Sequence, residues 1–495
     1  MNKVLRGFVT EVKIKLIIRH RQLRRKPLGP QRRITLIRRA RSLGLAAFLL
    51  LAYSGCGGPQ WDPVKRFAVL PVKSDSHPVA SALGRWMEVQ LQDSLQAPWV
   101  LLPVHTLSAG LCAEDLADEE SAASAAARIG LQGYVTVSLQ ADNTVSLRLA
   151  GRDAASSEAY RMALKDFPTD WRSIFTAIDA GWTTSLPSDS LPQAEALETW
   201  GRALMTAAAG NAVQAAETLR PVVDRTAAAH GAGLDLIRLL LEAGLDWRED
   251  GRDPAPLWNE AARRLQEQPS PKLLGRLYLY QGRLNWAEQA FKSAYSASKP
   301  DVALNFDISR IHPSRWPDGG ARRQENLLRQ NLHLNPLHLP SALALGTWLF
   351  GRNETAEVEQ VYQTFLSHAP DHRDILMALG RVYVLRNEPV KIIETYRRLI
   401  DIDAAYAPAY YNLGVAYFNA DRLNEAAGFF TRCLALGGTA DSHFYLAALA
   451  ETRGDTLDAL THYRQRLDAR KGREDRFAEE ARRRITKLLT VLEPQ

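Results

Sequence analysis

Three consecutive stretches of this chain repeat the same small and aromatic positions every 34 residues, and that period leaves few architectures open. The clearest unit begins at Ala407 and carries Tyr410, Leu413, Gly414 and Tyr417, then Ala426, Phe430 and Cys433. One period earlier stand Leu379, Gly380, Tyr383, Tyr396 and Leu399. A further period back stand Leu345, Gly346, Leu349, Val358, Tyr362 and Phe365, with Pro370 as a stop. The first half of each unit has helical spacing, and so does the second. One such helix pair cannot bury its apolar face alone, so stacked neighbours must supply a continuous core.

These spacings match the tetratricopeptide repeat (TPR) pattern, in which an aromatic-x2-Leu-Gly-x2-Tyr helix A precedes an Ala-x3-Phe helix B. Looser units extend the array in both directions. Gly275, Tyr278, Gly282, Ala287, Phe291 and Ala294 form one, and Ala447, Ala450, Gly454, Ala459 and Tyr463 another. Gly201, Leu204, Ala216 and Leu219 mark a degenerate first unit, and residues 233–268 a second. Between 305 and 336 the pattern fails, because the prolines and glycines of residues 312–320 exclude continuous helix. Six to eight helix pairs over 190–472 are expected, closed by an amphipathic capping helix in 473–495 that joins Arg482-Arg483-Arg484 to Ile485, Leu488, Leu489 and Leu492.

The N-terminal third reads differently. Residues 66–72 and 99–104 are short apolar runs of strand type, separated by a helical rhythm over 78–95. Ala113–Ile129 reads as a helix. Strands follow at 133–140, 144–150 and 159–165, the first two alternating apolar and polar residues as half-buried antiparallel strands do. Asp142-Asn143 supplies the turn between them. Asp170 then caps a helix bearing Trp171, Ile174, Phe175, Ile178 and Trp182. The order βαβαβββα resembles the N-terminal domain of the TolB translocation protein, on the opening strand Phe67–Pro71, the passage Ala127–Val135 and the closing strand–helix pair. The resemblance implies a domain for protein contact over 65–186. The expected fold class is therefore α+β, a small TolB-like α/β domain followed by an all-α TPR superhelical solenoid.

Charge is concentrated at the start. Of the 62 Lys and Arg residues, 14 lie in residues 1–41 against the single acid Glu11, so the remaining chain carries about −6 rather than the overall +7. A mildly acidic body has no broad footprint for phosphate backbones, which argues against a nucleic-acid partner. The basic stretch leads into the apolar run Leu43–Tyr53, whose 11 residues fall short of the roughly 20 a membrane-spanning helix needs. Basic, apolar and then small residues make a secretory signal peptide. Ser54-Gly55-Cys56-Gly57-Gly58 resembles a bacterial lipobox, with Tyr53 where that pattern has an aliphatic residue. The resemblance implies cleavage after residue 55, a lipid on Cys56 and a tether over 56–64. It also implies a location on the periplasmic side of the cell envelope. Cys112 and Cys433 read as free thiols.

No phosphate-cradling loop, nucleophile elbow, His-Glu-x2-His or Cys-x2-Cys occurs. His368 and His372 are separated by Pro370, which argues against a shared helical face and a metal. Acid pairs such as Glu119-Glu120 and Glu479-Glu480 are ordinary on solvated helices. No cofactor and no catalytic residue is expected. TPR solenoids present helix A side chains at the second, fifth, ninth, twelfth and thirteenth positions to a binding groove. That likeness implies Arg276, Tyr280, Phe350, Met377, Arg381, Tyr411, Phe418, Asn419 and Phe444 as partner-binding residues. The function implied is a non-enzymatic scaffold holding other envelope proteins or peptides. The rival readings are the sensory module of a signalling system and an enzyme acting on cell wall.

Overall fold

The computed structural model describes residues 65–72, 77–92, 99–102, 107, 111, 114–151, 158–164, 193–225, 230–295, 301–311, 320–469 and 475–492. Its first part follows the expected order. Strand β1 (Lys65–Pro71) leads to helix α1 (His77–Gln92), β2 (Trp99–Leu101), α2 (Glu119–Arg128), β3 (Gly133–Leu139), β4 (Thr144–Gly151) and β5 (Glu158–Ala163). The strands form one sheet in the order β2-β1-β3-β4-β5. β1 runs parallel to both β2 and β3, and the last three strands form an antiparallel meander. At the β3–β4 turn Asn143 takes a left-handed φ of 60°, and the Asp142 side chain accepts the Thr144 amide at 2.9 Å. Helix α2 starts six residues later than the sequence suggests, because Asp118 accepts the Ser121 amide at 2.7 Å and caps it there. The helix expected over 171–182 and the leader, Cys56 and tether lie outside the described residues, as do Cys112 and the loop at 312–319.

Burial corrects one expectation about the sheet. Strand β3 is covered on both faces, with Val135 and Val137 on one side and Thr136 and Ser138 also buried on the other. Phe67 and Val69 of β1 join a core with α1, while Ala68 and Leu70 join a second core with α2. Polar residues in β3 face protein rather than water because helix α2 packs on that side of the sheet.

Helices α3 (Ala194–Ala208) to α18 (Thr456–Asp468) form eight consecutive pairs among the described residues. They comprise α4 (Ala212–Arg225), α5 (His230–Glu249), α6 (Ala255–Glu267), α7 (Pro271–Tyr280), α8 (Leu284–Ala294), α9 (Val302–Ser309) and α10 (Gly320–Leu334). The later ones are α11 (Leu339–Gly351), α12 (Thr355–Leu366), α13 (Arg373–Leu385), α14 (Pro389–Ile402), α15 (Ala407–Asn419), α16 (Leu423–Ala435) and α17 (Asp441–Arg453). Helix α19 (Arg476–Leu492) lays Ala481, Ile485 and Leu488 against Ala447 and Tyr463 of the last pair, covering its apolar side.

The repeat period is a steric contact. A Cβ placed on Gly414 would stand 2.7 Å from the Phe430 ring, and one on Gly380 2.6 Å from Tyr396. Gly346 meets Tyr362 and Gly275 meets Phe291 in the same way. The small residue lets helices A and B close on a large ring, and Ala426 and Phe430 are both fully buried in that seam. Between the two helices the chain reverses through one left-handed residue, which is Asn353, Asn387 and Asp421 in three successive pairs, with φ between 53° and 62°.

The sheet domain is fastened to the array at two places far apart in sequence. Helix α1 packs along α3, and Gly201 approaches so closely that a Cβ would fall 1.6 Å from the Pro78 carbonyl oxygen. At the other place, Arg66 of β1 donates to the carbonyls of His333 and Leu334 at 2.7 and 2.8 Å. Those carbonyls end helix α10, where a cation is favourable. The domain thus bridges the first two pairs and the fourth.

Candidate interaction surface

Helix A of each pair carries the side chains singled out in the sequence, and they fall into two environments. Arg276 of α7 is largely buried and points at α9, its guanidinium 2.7 Å from Asp307. Burial opposes the Arg276 charge, yet Asp307 holds the guanidinium firmly protonated. Tyr280 is buried beside it, with Arg310 5.3 Å above its ring, and burial pushes its phenol up. Met377 is also buried, its sulfur 3.7 Å from the Asn412 amide. These three sit in joints between helices.

Aromatic packing claims the C-terminal members in part. Tyr411 is half-buried between Phe430 and Tyr445, with ring centroids 6.1 and 6.0 Å away, and burial raises its phenol. Phe418 lies 5.3 Å from Tyr445, and Phe444 lies 5.1 Å from Phe477 of the capping helix. Both keep some exposed surface.

Phe350, Arg381 and Asn419 are exposed, and they occupy the C-terminal ends of helix A in three successive pairs. Two apolar neighbours missed in the sequence join them. Val384 and Leu385 are 51% and 52% exposed, and Phe350 is 41% exposed. The twelfth and thirteenth positions of the sixth pair are these two residues, so the positional rule that found Phe418 and Asn419 reaches them as well. Arg381 makes no ion pair among the described residues; burial raises the neighbouring phenols of Tyr362 and Tyr396, and the Arg381 charge offsets part of that rise. The result is an apolar strip with one available guanidinium and one available amide.

One carboxylate ties together the helices of this region. Glu359 of α12 accepts from Lys391 at 3.1 Å, from Tyr383 at 3.1 Å and from Arg386, locking α12, α13 and α14 together. Burial would raise the Glu359 carboxyl, but these donors hold it below the usual range.

His368 and His372 do not converge: His368 faces Gly130, while the His372 ring packs edge-on to Phe365 at 5.3 Å. Among the described residues no group of three or more His, Cys, Asp or Glu is arranged to hold a metal. None of the described helices is long and apolar enough to cross a membrane. Cys433 is a buried free thiol.

Comparison with known proteins adds the following. A family model described as tetratricopeptide repeat matches residues 407–436. The human Protein O-mannosyl-transferase TMTC3 is 23% identical over 153 residues, which are 31% of this chain and 14% of that protein. Its mouse counterpart is 23% identical over 179 residues, 34% of this chain and 18% of that one. The chain therefore spans under a fifth of the length of these curated relatives. Among solved structures, MamA is 22% identical with a TM-score of 0.29, covering 33% of this chain and 94% of that one. PilF of Pseudomonas aeruginosa is 15% identical with a TM-score of 0.33, covering 39% and 88%. Residues 407–436 are thus a tetratricopeptide repeat, a module that suggests protein partners, and the two pairs before it keep its 34-residue register.

Proposed function

We propose that this chain is a non-enzymatic scaffold lipoprotein of the bacterial cell envelope, holding a partner polypeptide along helix A of its fifth to seventh pairs. The observation that carries the reading is the exposed strip of Phe350, Val384 and Leu385 beside the exposed Asn419 and Arg381, which makes no ion pair among the described residues. Apolar side chains this exposed and this regularly placed suit a binding surface. A guanidinium and a side-chain amide among them give a peptide backbone or acid a fixed register. The basic leader, short apolar run and Cys56 support export and lipid anchoring. A lipid there would confine the protein to a membrane surface, where its local concentration is high. The sheet domain is TolB-like in this reading and serves protein contact.

Arg381→Ala combined with Asn419→Ala tests the surface by partner recovery from membranes after cross-linking. Recovery should fall at least tenfold with the helix content unchanged. Unaltered recovery from the folded variant removes the proposal. Incorporation of labelled lipid into wild type and its loss in Cys56→Ser tests the anchor separately.

A further inference from the structure

The last helix pair carries two histidines that the scaffold reading does not use. His443 lies in the first turn of α17 and His462 in the middle of α18, and their Nδ1 atoms stand 3.0 Å apart. The rings are inclined by 32° with centroids 5.2 Å apart, which brings one nitrogen of each helix together at the seam of the pair. Gln465, one turn beyond His462, brings its Oε1 to 3.1 Å from the same His462 nitrogen. On the far side of that ring, Asp458 Oδ1 stands 3.7 Å from Nε2.

This arrangement has the dimensions of a chelate. Bonds from zinc to imidazole nitrogen are about 2.0–2.1 Å, so two nitrogens on one ion stand roughly 2.9–3.4 Å apart for angles between square and tetrahedral. The observed separation lies inside that window. A carboxylate that accepts the hydrogen bond of the other ring N–H is the usual device for orienting a ligating histidine, and Asp458, 3.7 Å from Nε2, stands within a small side-chain movement of that role. Both histidine side chains are only half-buried, so solvent can reach the point between them.

The geometry points to a divalent transition-metal site of the zinc class on the eighth helix pair, with His443 and His462 as imidazole ligands through Nδ1. Gln465 Oε1 supplies an oxygen donor, water completes the shell, and Asp458 acts as a positioning residue. An ion there clamps helix A to helix B at the end of the array, next to the capping helix.

The full chain, stripped with a chelator, is titrated with Zn²⁺ by calorimetry and with Co²⁺ by visible absorption. One ion per chain is expected at this site. His443→Ala or His462→Ala should weaken binding by about a hundredfold or more, and Asp458→Asn by about tenfold, in the range expected of a partner behind the ligand. Absence of saturable binding to wild type, or equal affinity in the double histidine variant, overturns the site and leaves a plain hydrogen bond between two neutral rings. Should a variant lose its helix content, ¹H–¹⁵N spectra of wild type decide instead. Metal must move the Nδ1 signals of His443 and His462, and a response confined to other histidines overturns the assignment. Partner recovery through Arg381 and Asn419 is a separate readout, so either proposal can fail without the other.

Discussion

The guanidinium of Arg85 and the carboxylate of Asp235 meet at 3.0 Å in the buried joint between the sheet domain and the helical array. The same Arg85 reaches Glu88 at 3.1 Å, and Asp235 also accepts the Trp200 indole N–H at 3.1 Å. Both acids are 1% exposed. Desolvation opposes the charge on Arg85, but its two acids more than offset it and hold the guanidinium protonated. Helix α1 and helices α3 and α5 are therefore joined by two acids with almost no access to water and a guanidinium that keeps only a little.

Removing Arg85 takes the 3.0 and 3.1 Å cation from two buried acids, with Arg238 left at 3.6 Å from Asp235. Arg85→Met should lower unfolding free energy by about 3–5 kcal/mol, read by urea denaturation. It should also make the sheet domain cleavable by protease under conditions where wild type resists. A loss below about 1 kcal/mol would show that apolar contact alone holds the joint.

The seam between Gly414 and Phe430 has no room for a side chain. Gly414→Leu should cost about 1–3 kcal/mol by overpacking. An unchanged thermal midpoint would contradict the contact.

The reversal between helices A and B in the sixth pair rests on Asn387 at a φ of 53°. Asn387→Ala should destabilise by about 1 kcal/mol, since a β-carbon without a polar side chain disfavours that conformation. Asn387→Gly should stay within a few tenths of a kcal/mol of wild type. Equal effects of the two in thermal melts would rule out backbone conformation as the cause.

His338 caps helix α11, its Nδ1 facing the Ser341 hydroxyl at 2.8 Å and amide at 3.3 Å. Burial pushes its pKa down from 6.5 to about 4. The unfolded chain then takes up a proton that the folded one refuses. Stability from this group is complete above pH 6.5 and falls as pH drops toward 4, by on the order of 3 kcal/mol. His338→Asn keeps a capping side chain and should flatten that part of a pH–stability profile. An unchanged slope in the variant would place the titration elsewhere.

Local periodicity was enough to read the repeat. The seam of Gly414, Ala426 and Phe430 repeats at a fixed spacing because each pair buries the same face against the same neighbours, so packing is written into the chain one unit at a time. The alternation in β3 and β4 was legible for the same reason, because their pairing partners are adjacent in sequence. What escaped the sequence is contact between distant segments. Arg276 reads as a groove residue by position, yet Asp307 is 31 residues away and claims it. Arg66 ends up on the carbonyls of His333 and Leu334, and Thr136 is buried under helices that alternation alone cannot place. The strip of Phe350, Val384, Leu385 and Arg381 was half legible: register located it, while exposure decided which of its members stay available. Sequence determined the repeating module because its interactions recur at short range. Tertiary structure alone decided which polar and aromatic side chains are consumed in joints, because a buried charge is satisfied by whatever the folded chain brings beside it.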